Sequence, residues 1–119
     1  MSKLTLSIGK EGSEKEYIME FTRENVCKAE TTYDMSLLQV PKQFETLSKL
    51  DNFLHCITYA GLLKNQPKIT KDDVTSIYNE LVGEDGYDEQ TLVEGIVALL
   101  ESTLNPKSGG RKKFPKAIN

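Results

Sequence analysis

The chain has 119 residues, 38% of them hydrophobic and 28% charged. That is enough for one compact domain and too little for two, and it sets a globular balance on the polar side of average. The net charge of −3 is unevenly spread: Lys107, Arg111, Lys112, Lys113 and Lys116 lie in 105–119 without an acid among them, which leaves −8 on 1–104. An acidic body with a basic tail argues against wholesale nucleic-acid binding, which needs a basic folded face, and permits a tail that touches acidic partners.

Leu4, Leu6 and Ile8 alternate with polar residues, as in a half-buried strand. Gly9 to Ser13 is rich in turn formers, and Tyr17, Met19 and Phe21 alternate again, so a β-hairpin is predicted. A hairpin is marginal alone in water and must rest on other elements. Thr22 can cap a short helix through Val26 and Ala29 that ends near Tyr33-Asp34. Met35, Leu37, Leu38 and Val40 form an apolar connector up to Pro41.

The strongest helix is predicted over 42–64. Phe44, Leu47, Leu50, Leu54 and Ile57 make one apolar stripe, and Phe53, Cys56, Ala60 and Leu63 a second, as expected of a central helix packed on two sides. Gly61 costs about 1 kcal/mol in a helix interior relative to Ala, and marks either a close helix–helix approach or the last turn. Thr70, followed by Asp72 and Asp73, opens a third helix carrying Val74, Ile77, Tyr78 and Leu81, with Gly83 as its stop. Asp88 can cap a fourth helix running to Leu104. The expected fold is α+β and mostly helical: an N-terminal β-hairpin packed on a bundle of about four helices over 1–104, then a flexible basic tail over 105–119.

Chemistry-bearing residues are few. His55 and Cys56 are adjacent on a helix, so their side chains point about 100° apart and do not form a nucleophile–base pair by themselves. No C-x-x-C, H-E-x-x-H or multi-His group occurs, so no metal site is expected. The acidic run Glu84-Asp85-Gly86-Tyr87-Asp88-Glu89 lacks the order of a calcium loop, and Gly9-Lys10-Glu11-Gly12-Ser13 lacks that of a phosphate loop. Neither a catalytic site nor a cofactor is expected. Cys27 and Cys56 are too few for a disulfide framework, which favours a reducing cytoplasm, with one disulfide as the alternative. Met1-Ser2-Lys3-Leu4 does not open a signal peptide, and no apolar run approaches the roughly 20 residues of a membrane span.

Two blocks carry a family resemblance. One is the second strand running into a helix, Tyr17-Ile18-Met19-Glu20-Phe21-Thr22-Arg23-Glu24-Asn25-Val26; the other runs from Tyr59-Ala60-Gly61-Leu62-Leu63 through a polar loop to Ile77-Tyr78-Asn79-Glu80-Leu81. In layout the chain over residues 3–104 resembles the short tail assembly chaperones of long-tailed bacteriophages, in the form common in phages and prophages of Gram-positive bacteria. The basic tail has no counterpart in that pattern. The resemblance implies a partner, the long helical tape-measure protein, kept soluble until tail-tube subunits polymerise around it. It further implies action in the host bacterial cytoplasm, absence from the mature virion, and a longer frameshifted form that meets the tail-tube protein.

Apolar residues beyond the needs of one small core, Met35, Leu37, Leu38, Leu62 and Leu99, are the candidate partner-binding residues, with Arg111, Lys112 and Lys113 of the tail. The alternative function is a small nucleic-acid-associated regulator acting through the tail, whose cations are interleaved with Phe114. An ordinary solubilising tail and ordinary core or scattered surface leucines are the simpler alternatives.

Overall fold

A computed structural model describes residues 3–10, 12–38 and 43–104 of the chain. Strands β1 (Leu4–Ile8) and β2 (Lys15–Met19) precede helices α1 (Arg23–Tyr33), α2 (Leu47–Leu62), α3 (Lys71–Leu81) and α4 (Glu89–Leu104). This is the expected hairpin-plus-four-helix architecture. The strands pair antiparallel with Leu4 opposite Met19 and Leu6 opposite Tyr17. Alternation puts Leu6, Ile8 and Met19 on the buried side, with Thr5 and Ser7 outward. The second strand stops at Met19, so Phe21 lies beyond the ladder, although it is buried.

Helix starts follow side-chain oxygens. Thr22 accepts from the Asn25 N–H at 3.1 Å, and Asp88 from the Thr91 N–H at 3.1 Å. At α3, Thr70 and Asp73 exchange side-chain-to-backbone bonds of 3.1 and 3.0 Å in a reciprocal capping box. The helix expected from residue 42 instead begins at Leu47: the Thr46 hydroxyl accepts from Lys49 N–H, and this cap outweighs the apolar periodicity that continues back to Phe44. Phe44 precedes the helix and packs its ring 5.3 Å from that of Phe53. Val40 and Pro41 lie outside the described residues, as do the tail cations.

The core is organised around α2, which packs against α1, α3, α4 and β2. From Cys56 to Leu63 every residue is buried. Gly61 is the point of closest approach, and its neighbour is the hairpin rather than another helix. A Cβ there would overlap Met19 Cε and lie 3.2 Å from Phe21 Cζ. The Gly61 carbonyl accepts from the Glu20 N–H at 2.9 Å, which ties the residue just past β2 to the helix.

Polar bonds hold the hairpin from other directions. Lys64 Nζ meets the Glu20 carboxylate at 2.9 Å, and Asn65 Nδ2 donates to Ile18 O and to Glu20. Tyr17 Oη and Lys15 Nζ both donate to Glu80 on α3, at 2.9 and 3.1 Å. Ser7 N–H donates to Tyr87 Oη at 3.0 Å. Burial and then the Glu80 bond push the Tyr17 hydroxyl up to about 12, while the donors from Tyr17 and Lys15 hold the Glu80 carboxyl below its usual range. Among the described residues no helix is long and apolar enough to cross a membrane.

Because Met19 is fully buried and Phe21 also lies close to position 61, a side chain introduced by Gly61→Val has to displace both and loosens the hairpin's packing on α2. The substitution is expected to lower unfolding free energy by about 1–3 kcal/mol, read as a reduced midpoint in urea. An unchanged midpoint would show that the hairpin does not depend on this contact.

Candidate functional site

The eight partner-binding candidates separate sharply. Leu37, Leu62 and Leu99 are core residues, 1%, 0% and 7% exposed, and are unavailable to a partner in this structure. Leu62 belongs to the enclosed half of α2, and Leu99 faces inward on α4 with Leu92, Ile96 and Leu100. Leu38 is 75% exposed and Met35 half-buried. Arg111, Lys112 and Lys113 lie outside the described residues.

The opposite fates of neighbouring Leu37 and Leu38 have a local cause. Asp34 takes a left-handed conformation (φ 51°) that ends α1 and turns the chain, its N–H donating to Glu30 O. The Glu30 carboxylate then accepts from Leu37 N–H at 2.6 Å. Asn52 Nδ2 on α2 donates to Tyr33 O and contacts Met35 Sδ, at 3.3 and 3.4 Å. These bonds fix the connector with Leu37 inward, and Leu38 turns outward.

Next to this connector, a cleft of about 1020 Å³ opens between the end of α1 and the first turns of α2. Met35, Phe44 and Leu47 are its apolar lining, with Asp34, Asp51 and His55 among the polar residues. Leu47, expected to point into the core, is 72% exposed. Leu38 and Leu47 are the two large hydrophobic side chains exposed among the described residues, and both flank the α1–α2 connection. Phe44 and Leu47 were hidden in the sequence by their fit to the apolar stripe of α2. Thr46 itself, a residue type that favours the N-cap, held the signal that separates them from it, since a cap there places Phe44 before the helix and Leu47 in its first turn.

His55 and Cys56 do not act on each other. The His55 ring meets the Tyr78 ring edge-on with centroids 5.4 Å apart, whereas Cys56 is fully buried with Sγ 3.5 Å from Ala29 O. Burial, with the Glu30 carboxylate adding, pushes the Cys56 thiol up to about 12, so it stays protonated and unreactive at neutral pH. Tyr33 Oη, close by, is buried without a hydrogen-bond partner, and burial pushes its pKa up to about 12 as well. Tyr78 donates to Glu89 at 2.5 Å, and its pKa is also raised, by burial first and then by that bond. The described residues bring no three His, Cys, Asp or Glu side chains within reach of one metal ion. The groups with shifted pKa values therefore belong to the core and to the hairpin contacts, and the cleft sets three apolar side chains among mostly polar and charged ones.

No protein-family model, curated protein or solved structure matches the chain.

Cys27 is exposed and Cys56 buried, both as free thiols. In Ellman titration of the native protein, Cys27 is expected to react at once and Cys56 only after denaturant is added. Equal, rapid reaction of both in buffer would contradict the burial of Cys56.

Proposed function

We propose that the protein is a tail assembly chaperone of a long-tailed bacteriophage, which holds the tape-measure protein soluble in the host cytoplasm before the tail tube forms around it. The observation that carries the proposal is that, among the described residues, the two exposed large apolar side chains are Leu38 and Leu47, both beside the α1–α2 connection. The Tyr17–Val26 and Tyr59–Leu81 blocks, which resemble the chaperone pattern, direct that general binding capacity to a specific partner.

The cleft suits an amphipathic helix. Met35, Phe44 and Leu47 offer an apolar floor, and an incoming helix presents apolar residues three and four positions apart. Covering one side chain such as Leu47 contributes about 1.5–3 kcal/mol before the costs of ordering. A single site is therefore weak. Repeated binding along a long helical partner covers many apolar patches at once and keeps them from aggregating.

The test is co-expression of the protein with a helical fragment of the tape-measure protein that precipitates alone. The wild-type chain is expected to keep the fragment in the supernatant. The double variant Leu38→Ser/Leu47→Ser is expected to lose most of that effect while melting within about 3 °C of wild type, because both side chains are already in solvent. A fragment that precipitates equally with and without the wild-type chain would overturn the proposal.

A further inference from the structure

The cleft is unevenly charged. Its described lining sets the carboxylates of Asp34, Glu45 and Asp51 against the ammonium of Lys49. The fold accounts for Glu45, which precedes the N-cap of α2 and meets Lys49 at 3.1 Å. Asp34 and Asp51 enter no ion pair among the described residues. Asp51 lies beyond the first turn of α2, where the attraction of a helix N-terminus for negative charge has faded.

Asp34 is the more telling of the two. It ends α1 in the left-handed region (φ 51°, ψ 56°), where Gly or Asn is the ordinary residue. Its carboxylate also stands at the negative end of α1, whose last turn carries no basic residue. An uncharged Asn takes the same backbone conformation without that repulsion, so the charge at position 34 answers to something outside the fold. The apolar part of the cleft is close to both acids. Met35 follows Asp34 directly. Leu47 and Asp51 stand one turn apart on one face of α2, about 6 Å along its axis.

We propose that the cleft selects a basic amphipathic helix, whose apolar residues cover Met35, Phe44 and Leu47 and whose Lys or Arg side chains meet Asp34 and Asp51. This rests on the reading of the cleft as the partner surface, and it narrows that reading: the tape-measure segments held here are the basic ones. On such a helix an apolar residue and a cation four positions apart match the spacing of Leu47 and Asp51. The apolar contacts hold the helix. The two carboxylates decide which helices are admitted, because a helix flanked by acid meets like charge at Asp34 and Asp51. Exposed ion pairs contribute little each and are screened by salt, so the selection is strongest at low ionic strength.

The test uses two fluorescein-labelled helical peptides of equal length and with the same leucine stripe, one carrying Lys and the other Glu beside it. Each is titrated with the full chain and read by fluorescence anisotropy. The Lys peptide is expected to bind about tenfold tighter than the Glu peptide at low salt, with the ratio shrinking in high salt. Asp34→Asn/Asp51→Asn is expected to weaken the Lys peptide about fivefold. Glu94→Gln/Glu101→Gln, the same change of net charge at exposed positions of α4, is expected to leave it unchanged. Asp34→Asn alone is expected to melt no lower than wild type. Equal weakening by the two double variants would assign the preference to net charge, and a lower melting temperature of Asp34→Asn would assign that carboxylate to the fold; either overturns the proposal. Failure of the Lys peptide to bind also overturns it, and co-expression with the tape-measure fragment then decides the wider reading separately. Equal binding of both peptides overturns the charge selection alone, provided that Leu38→Ser/Leu47→Ser abolishes both, since the apolar partner surface then stands.

Discussion

The C-terminal half of α2 lies against the hairpin because residue 61 has no side chain. Met19 and Phe21 occupy the space a Cβ would fill, and the same glycine's carbonyl takes the Glu20 N–H. Without this approach the hairpin keeps its pairing, the packing of β1 on α4 and a set of largely exposed polar bonds, but it loses the backbone bond from Glu20 and the closest packing of Met19. With it, β2 closes the remaining side of α2, and residues from Cys56 to Leu63 become a buried axle on which α1, α3 and α4 also pack. Lys64 and Asn65, immediately after the helix, then reach Glu20 and Ile18, so one end of one helix fixes both backbone and side chains of the second strand.

The other end of α2 serves a different purpose. From Leu47 to Asn52 it projects past the core, half-burying only Leu50 and leaving Leu47 in solvent. The connector from α1 is pinned beside it by Glu30 and Asn52. Fold and candidate site are thus carried on the same helix but on separate turns. Leu47 of the proposed partner surface stays out of the core because it stands on a helix whose position is set elsewhere, while Met35 and Phe44 come from the connection that precedes that helix.

Much of this organisation was legible in the sequence, and the failures have physical causes. The caps at Thr22, Thr70 and Asp88 were readable because each bond is local, made between a side-chain oxygen and a backbone N–H three residues on. Thr46 makes the same bond, but the apolar stripe running through Phe44 and Leu47 masked it, since periodicity does not report where a helix starts. Leu62 and Leu99 looked surplus because the periodicity of one helix does not report how many neighbours pack around it, and both are enclosed in the shared core. Leu37 and Leu38 are the same residue type at adjacent positions, and what separates them is the pinned connector, with the Asp34 turn, the Glu30 bond to Leu37 N–H and the Asn52 contacts. Gly61 signalled close approach, but a glycine does not disclose whether helix or strand approaches it.

The central claim is that the free end of α2 and the connector beside it form the partner surface, while the buried half carries the fold. Amide hydrogen exchange with and without a bound tape-measure fragment tests it most directly. The account predicts that Phe53–Leu63 exchange slowly in both states. It also predicts that Leu47–Asn52 and Asp34–Leu38 exchange quickly in the free protein and gain protection in the complex. Protection gained instead on the acidic faces of α3 and α4, with Leu47–Asn52 unchanged, would contradict it.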